Sequence, residues 1–180
     1  MAGANLTVNW SGIPSPALGD WIALYRPGTQ DNQYLAFGFT DGHAAGVMSL
    51  PIPSSVSPGT YEVRLLPANS GTAIATSNSF TVTACPTATL SSTPGTVAPG
   101  GTVTATWSAV CFPTSTDWIA VHSVGASDGT YVAWIWSTGA AAGSAPIAIP
   151  TNVPAGNYEL RMYANGSSTR LAVGNSFTVN

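Results

Sequence analysis

Asp20-Trp21-Ile22-Ala23-Leu24-Tyr25 returns 97 positions later as Asp117-Trp118-Ile119-Ala120-Val121-His122. Without a gap, the same offset lays Trp10 on Trp107, Gly28 on Gly125, Asp31 on Asp128, Tyr34 on Tyr131, Pro53 on Pro150, Tyr61-Glu62 on Tyr158-Glu159, Arg64 on Arg161 and Phe80 on Phe177. A repeat of this length settles domain organisation before any local pattern is considered, because each copy must bury a core of its own. The reading is two domains, 1–83 and 84–180, each near the small end of what one core supports.

Within each copy the apolar residues alternate. Leu6, Val8 and Trp10 share one face of a strand, as do Val103, Ala105 and Trp107. A Pro-bearing loop, the Asp-Trp strand, a Gly/Asp turn and an aromatic-rich strand follow (Tyr34 to Phe39, Tyr131 to Trp136). Then come a small-residue loop, a further strand, and the phrases Pro58-Gly59-Thr60-Tyr61-Glu62-Val63-Arg64 and Ala155-Gly156-Asn157-Tyr158-Glu159-Leu160-Arg161. A turn running straight into Tyr and an alternating strand is the pattern of a tyrosine corner. Ser79 to Val82 and Ser176 to Val179 close the copies. No stretch carries a useful 3.6-residue apolar period. The expected fold is all-β, two tandem immunoglobulin- or fibronectin-III-like β-sandwiches.

The copies differ at their starts. Before its first matching strand the second carries Thr87-Ala88-Thr89-Leu90 and the Pro94-Gly95 and Pro99-Gly100 turns, read as an extra leading strand. The first has almost nothing in that place. Either the sequence is cut short there or an edge of the first copy is left open, which would be a site of self-association with another strand.

Charge narrows the function. Charged residues are 6% of the chain, Lys is absent, and the basic groups are Arg26, Arg64, Arg161 and Arg170. A basic nucleic-acid footprint and a polybasic membrane patch are excluded on that basis, and no apolar run reaches the length of a span. Hydrophobic residues at 44% argue for a folded chain. The Met1-Ala2-Gly3 start lacks the charged and apolar regions of a signal peptide, so the expectation is a mature fragment.

Cys85 and Cys111 have only His43 and His122 to join them in a metal site, and not at ligand spacing. A Cys85-Cys111 disulfide is expected instead, contributing roughly 3 kcal/mol and implying an oxidising, extracellular or cell-surface location.

The motifs Asp117-Trp118-Ile119-Ala120, Tyr158-Glu159-Leu160-Arg161 and Asn175-Ser176-Phe177-Thr178-Val179, with their counterparts in the first copy, resemble a recurring immunoglobulin-like module of large secreted bacterial proteins. More distantly, the Asp-Trp strand and the aromatic strand after it are similar to the SKICH domain and to the N-terminal sandwich of purple acid phosphatases. The resemblance implies an accessory, non-catalytic sandwich without a cofactor.

The residues agree on catalysis, since neither copy pairs a nucleophile with a base. Asp20 with Asp31, and Asp117 with Asp128, recur at equal spacing and could contribute carboxylates to a weak calcium site; turn closure by the same side chains is the simpler expectation. For ligand binding, period two sends Glu159, Arg161 and Tyr163 to the sheet face that carries Trp118 and His122, with Arg170 nearby. Trp21, Tyr25, Glu62 and Arg64 correspond in the first copy. Aromatic rings flanked by fixed polar groups suit a polysaccharide or surface glycan. Against this stand simple Glu-Arg pairing on a solvated strand and a Trp118 buried as the sandwich tryptophan. The remaining reading is a structural or adhesive repeat that spaces or self-associates.

Overall fold

The computed structural model describes residues 1–180. Every regular element is a strand, and the chain divides into two compact units, Met1–Cys85 and Pro86–Asn180.

The first unit contains β1 (Asn5–Trp10), β2 (Trp21–Tyr25), β3 (Ala36–Phe39), β4 (Gly46–Pro51), β5 (Gly59–Leu66), β6 (Ala75–Thr76) and β7 (Phe80–Val82). β1 and β4 form one sheet; the other runs β3-β2-β5-β6, with β7 also on β5. Alternation puts Val8 and Leu50 on the inner side of the first sheet, where they meet Ile22, Leu24, Tyr61, Val63 and Leu65 of the second.

The second unit contains β8 (Thr89–Thr93), β9 (Thr96–Val97), β10 (Thr102–Ser108), β11 (Trp118–Ser123), β12 (Ala133–Trp136), β13 (Gly143–Ala148), β14 (Gly156–Tyr163) and β15 (Arg170–Val179). Its sheets run β13-β10-β8 and β12-β11-β14-β15-β9. Between them lie Leu90, Val103, Trp107 and Ile147 from one side and Ile119, Val121, Leu160, Met162 and Phe177 from the other. That strand order is immunoglobulin-like. Each unit also has its tyrosine corner: the Tyr61 hydroxyl donates to Ser57 O at 2.7 Å and the Tyr158 hydroxyl to Pro154 O at 2.9 Å. Satisfying a shielded phenol in this way is worth about 1 kcal/mol net.

The buried sandwich tryptophan is Trp107, 1% exposed. Its ring lies over Gly143, where a Cβ would come within 2.6 Å of it; only a residue without a side chain lets the strands pair at that point. Trp10 and Gly46 repeat the arrangement. Cys85 and Cys111 form a disulfide.

Two stretches differ from the sequence expectation. β15 starts at Arg170, well before Ser176, and β6 occupies Ala75–Thr76, both in segments that read as loops. Gly174-Asn175 signals a turn by composition, yet a register shift in the β14–β15 ladder absorbs it within a continuous strand.

Candidate functional site

The outer face of the larger sheet in each unit holds two structures side by side: a closed polar network and an open aromatic cleft. The network is built by register. Ala120 pairs with Arg161, His122 with Glu159, and Trp118 with Tyr163, so the expected residues do share a face. In the second unit Arg161 Nε and Nη2 donate to Glu159 Oε1 at 2.9 and 2.7 Å, and Nη1 donates to Asp128 Oδ1 at 2.7 Å and to Ala126 O at 2.8 Å. Arg170 Nη2 donates to Asp128 Oδ2 at 2.7 Å. The Tyr163 hydroxyl donates to Asp128 Oδ1 at 2.9 Å and lies 3.0 Å from His122 Nε2, whose Nδ1 is 2.8 Å from Thr130 O.

In the first unit Arg64 repeats the bonds to Glu62, Asp31 Oδ1 and Thr29 O, and Ala73 N donates to Asp31 Oδ2. The guanidinium sits 4.3 Å from the Tyr25 ring centroid, and the Tyr25 hydroxyl donates to Asp31 O. Tyr25 occupies the place of His122, while Leu66 occupies the place of Tyr163. Both units thus fill the space above the arginine with one phenol, supplied from opposite strands.

Local electrostatics follow from this packing. Burial, then the Asp31 carboxylate, pushes the Tyr25 phenol up to about 12. Burial, then the hydrogen bond to Asp128, does the same for Tyr163, also to about 12. Asp128 is held well below the usual carboxylate range, first by Arg170 and then by Tyr163; Asp31 is lowered first by the Ala73 N–H and then by Arg64. Burial, then the Arg161 charge, draws His122 below the ordinary histidine value.

These facts correct the sequence reading of the face. His122 and Tyr163 are 0% exposed, Arg161 4%, Tyr25 0% and Arg64 8%; Glu62 and Glu159 are partly buried behind them. Their polar atoms are spent on one another, and no buried side-chain polar atom lacks a partner. They are the footing of the face; among the expected residues Arg170 is exposed, and Trp21, Trp118, Glu62 and Glu159 reach solvent in part. The reason is desolvation: an Arg on a sheet face is covered by the turn whose carbonyl and carboxylate it binds.

The calcium alternative meets the same fate. Asp20 accepts from Ala17 N and Ala68 N, and Asp117 from Thr114 N, Thr114 Oγ1 and Asn165 N. Asp31 and Asp128 face arginines. The carboxylates close loops and balance guanidinium charge instead of converging on a cation.

What lies open is aromatic. In the second unit Trp118, Tyr131, Trp134, Trp136 and Gly166 line a cleft of about 250 Å³. Trp118 stacks on Tyr163 at 4.5 Å and meets Tyr131 and Trp134 edge-on, and Trp134 meets Trp136 edge-on at 4.9 Å. Trp118 Nε1 donates to Ser167 O, fixing its ring. Trp134 and Trp136 remain 44% and 50% exposed. The first unit has a cleft of about 210 Å³ from Gly19, Trp21, Tyr34, Phe37, Phe39 and Ala68. Sequence reasoning placed Tyr34, Phe37, Phe39, Tyr131, Trp134 and Trp136 in strands but not in a site. The available signal was aromatics at i and i+2 opposite small or inward residues, as in Ala133-Trp134-Ile135-Trp136.

No family model matches the chain, and no curated protein matches it. Among solved structures it is similar to murine CEACAM1b, with 16% identity, 99% of this chain and 93% of that chain covered, and a TM-score of 0.33. Similarity of the same size is found to a mouse coronavirus receptor-binding domain complexed with its murine receptor (16% identity, 99% and 93% coverage, TM-score 0.33). An amphioxus IgVJ-C2 molecule matches at 15% identity, 99% and 97% coverage and a TM-score of 0.30. The immunoglobulin-like character of each unit rests on its strand order and tyrosine corner.

Proposed function

We infer that the protein is a non-catalytic extracellular module that binds carbohydrate through its aromatic clefts. The observation that carries this reading is the contiguous set Trp118, Tyr131, Trp134 and Trp136, left open on a face whose charged groups are paired with one another. Apolar patches of this kind mark binding sites on soluble proteins. Rings set edge-on to one another form a ridged, rigid surface on which the C–H faces of successive sugar rings stack, with indole N–H groups at hand for hydroxyls. The disulfide supports an oxidising location. Asp31, Asp128, Glu62, Glu159 and His122 are committed to structural bonds, which supports a role without catalysis.

Intrinsic tryptophan fluorescence during titration with soluble polysaccharides tests the reading. A saturable shift should be weakened roughly tenfold or more in Trp134→Ala with Trp136→Ala, exposed residues whose loss leaves the core intact. Absence of a shift across neutral, acidic and amino-sugar polymers would remove it.

A second reading, an adhesive or structural repeat, is favoured by a separate observation: β1 pairs with β4 and with no other strand.

A further inference from the structure

We propose that the cleft of the second unit, and not that of the first, is the main glycan site, and that it selects uncharged sugars through the indole N–H groups of Trp134 and Trp136. This rests on the carbohydrate reading above and adds to it the class of sugar and the residues that decide it.

The charge of the face sets the class. In the second unit Arg161 and Arg170 are paired with Asp128 and Glu159, so two positive charges meet two negative ones. In the first, Arg64 alone faces Asp31 and Glu62. Neither network has a surplus positive charge, and the chain as a whole carries −3. A polyanion therefore meets no unpaired arginine in either network and is repelled at longer range. A cationic sugar gains no free partner either, because each of these carboxylates already has an arginine against it. What the cleft offers is ring faces and neutral donors, which suit the C–H faces and hydroxyl oxygens of an uncharged sugar.

Two features single out the second cleft, and the first of them is its supply of donors. β12 is the end strand of its sheet, and Trp134 and Trp136 stand at alternate positions along it, opposite Ala120 and Trp118. Neither of their indole N–H groups bonds to the protein, unlike those of Trp107 and Trp118, which donate to Ala140 O and Ser167 O. Their counterparts on β3 are Phe37 and Phe39, exposed to the same degree at 47% and 51% and without a donor. Tyr131 and Tyr34 supply a hydroxyl to each cleft alike. The contrast between the two edges is thus concentrated in the N–H groups.

The second feature is a fixed floor. Trp118 is stacked on Tyr163 at 4.5 Å and held by its bond to Ser167 O. Trp21 makes no such bond, which leaves its N–H as the one indole donor of the first cleft, and it has the aliphatic Leu66 opposite it in place of the phenol. A ring already held in place loses less freedom when a sugar stacks on it, so the same contact is worth more in the second unit.

The test is isothermal titration calorimetry of the full chain, with soluble glucan, mannan and galactan as neutral probes, polygalacturonate as a polyanion and glycol chitosan as a polycation. Thermal melts of each variant check that it folds. A neutral polymer should bind most tightly. Trp134→Phe with Trp136→Phe keeps aromatic faces and removes the donors; it should weaken that binding about tenfold, the loss expected from two neutral hydrogen bonds. Phe37→Ala with Phe39→Ala removes whole rings from the first cleft and should weaken binding less. Tightest binding to polygalacturonate or glycol chitosan, undiminished binding by the Trp134→Phe, Trp136→Phe variant, or a larger loss from the Phe37→Ala, Phe39→Ala variant would overturn the proposal while leaving carbohydrate binding in place. No saturable binding by any of the polymers would instead remove the carbohydrate reading and the proposal with it.

Discussion

The two units are the same sandwich with the same footing, yet one is closed along the β10 edge and the other is open along β1. The inner walls are similar without being identical, with Val8, Val63 and Leu65 where the second unit has Ala105, Leu160 and Met162, and β8 pairs with β10 beside Trp107 while β1 pairs with β4 alone. The comparison shows that burial of a repeated residue is set by its neighbours in space, even when its neighbours in sequence are the same. A second contrast lies on the outer face. His122 with Tyr163 replaces Tyr25 with Leu66 around a shared Arg, which places a histidine of lowered value in the network of the second unit.

The largest test of the comparison is at the paired tryptophans. Trp107→Ala should cost about 3–5 kcal/mol, and Trp10→Ala about half of that, because its ring is only half-buried. Urea unfolding of each variant reads this directly; equal losses would mean that the two rings are equally covered. Next in size are the arginines. Arg64→Met should cost about 2–3 kcal/mol, since Glu62 and Asp31 lose their one cationic partner in a half-shielded site. Arg161→Met should cost less, because Arg170 still holds Asp128. Reversal of that order would break the assignment of Arg170 as a support.

The smallest effect is the pH dependence of the second unit. The His122 value is lower in the folded protein than in the unfolded chain, so the unfolded chain binds the proton more tightly. Its contribution is intact above about pH 6.5 and is lost as pH falls from there through the folded value. Asp128 and Asp31, both lowered, weaken both units only further down, below about pH 4. Thermal melts between pH 7.5 and 5 should therefore show the second unit's transition falling, and His122→Tyr with Tyr163→Leu should abolish that fall.

Much of the architecture was legible in the chain. The offset between Trp10 and Trp107 gave the two units, alternation placed Ile119, Val121, Tyr158, Leu160 and Met162 inward, and Tyr61 and Tyr158 announced their corners. The shared face of Trp118, His122, Glu159, Arg161 and Tyr163 was legible too, because strand period and strand neighbourhood decide it. Its burial was not. Whether Arg161 meets water or the Asp128 turn depends on how the loop of residues 124–132 folds back, and Gly125, Ser127 and Gly129 leave its path open at the level of sequence. Tyr163 stacks beneath Trp118 because β11 and β14 pair them, and Trp134 and Trp136 are exposed because they occupy alternate positions of β12.

By itself, then, the sequence determined the repeat, the strand faces and the bonding partners each polar residue is chemically able to take. Those follow from backbone period and side-chain chemistry, which are local. Only the tertiary structure decided which of those groups are withdrawn from solvent and which rings are left open, because exposure depends on what the rest of the chain lays over a residue.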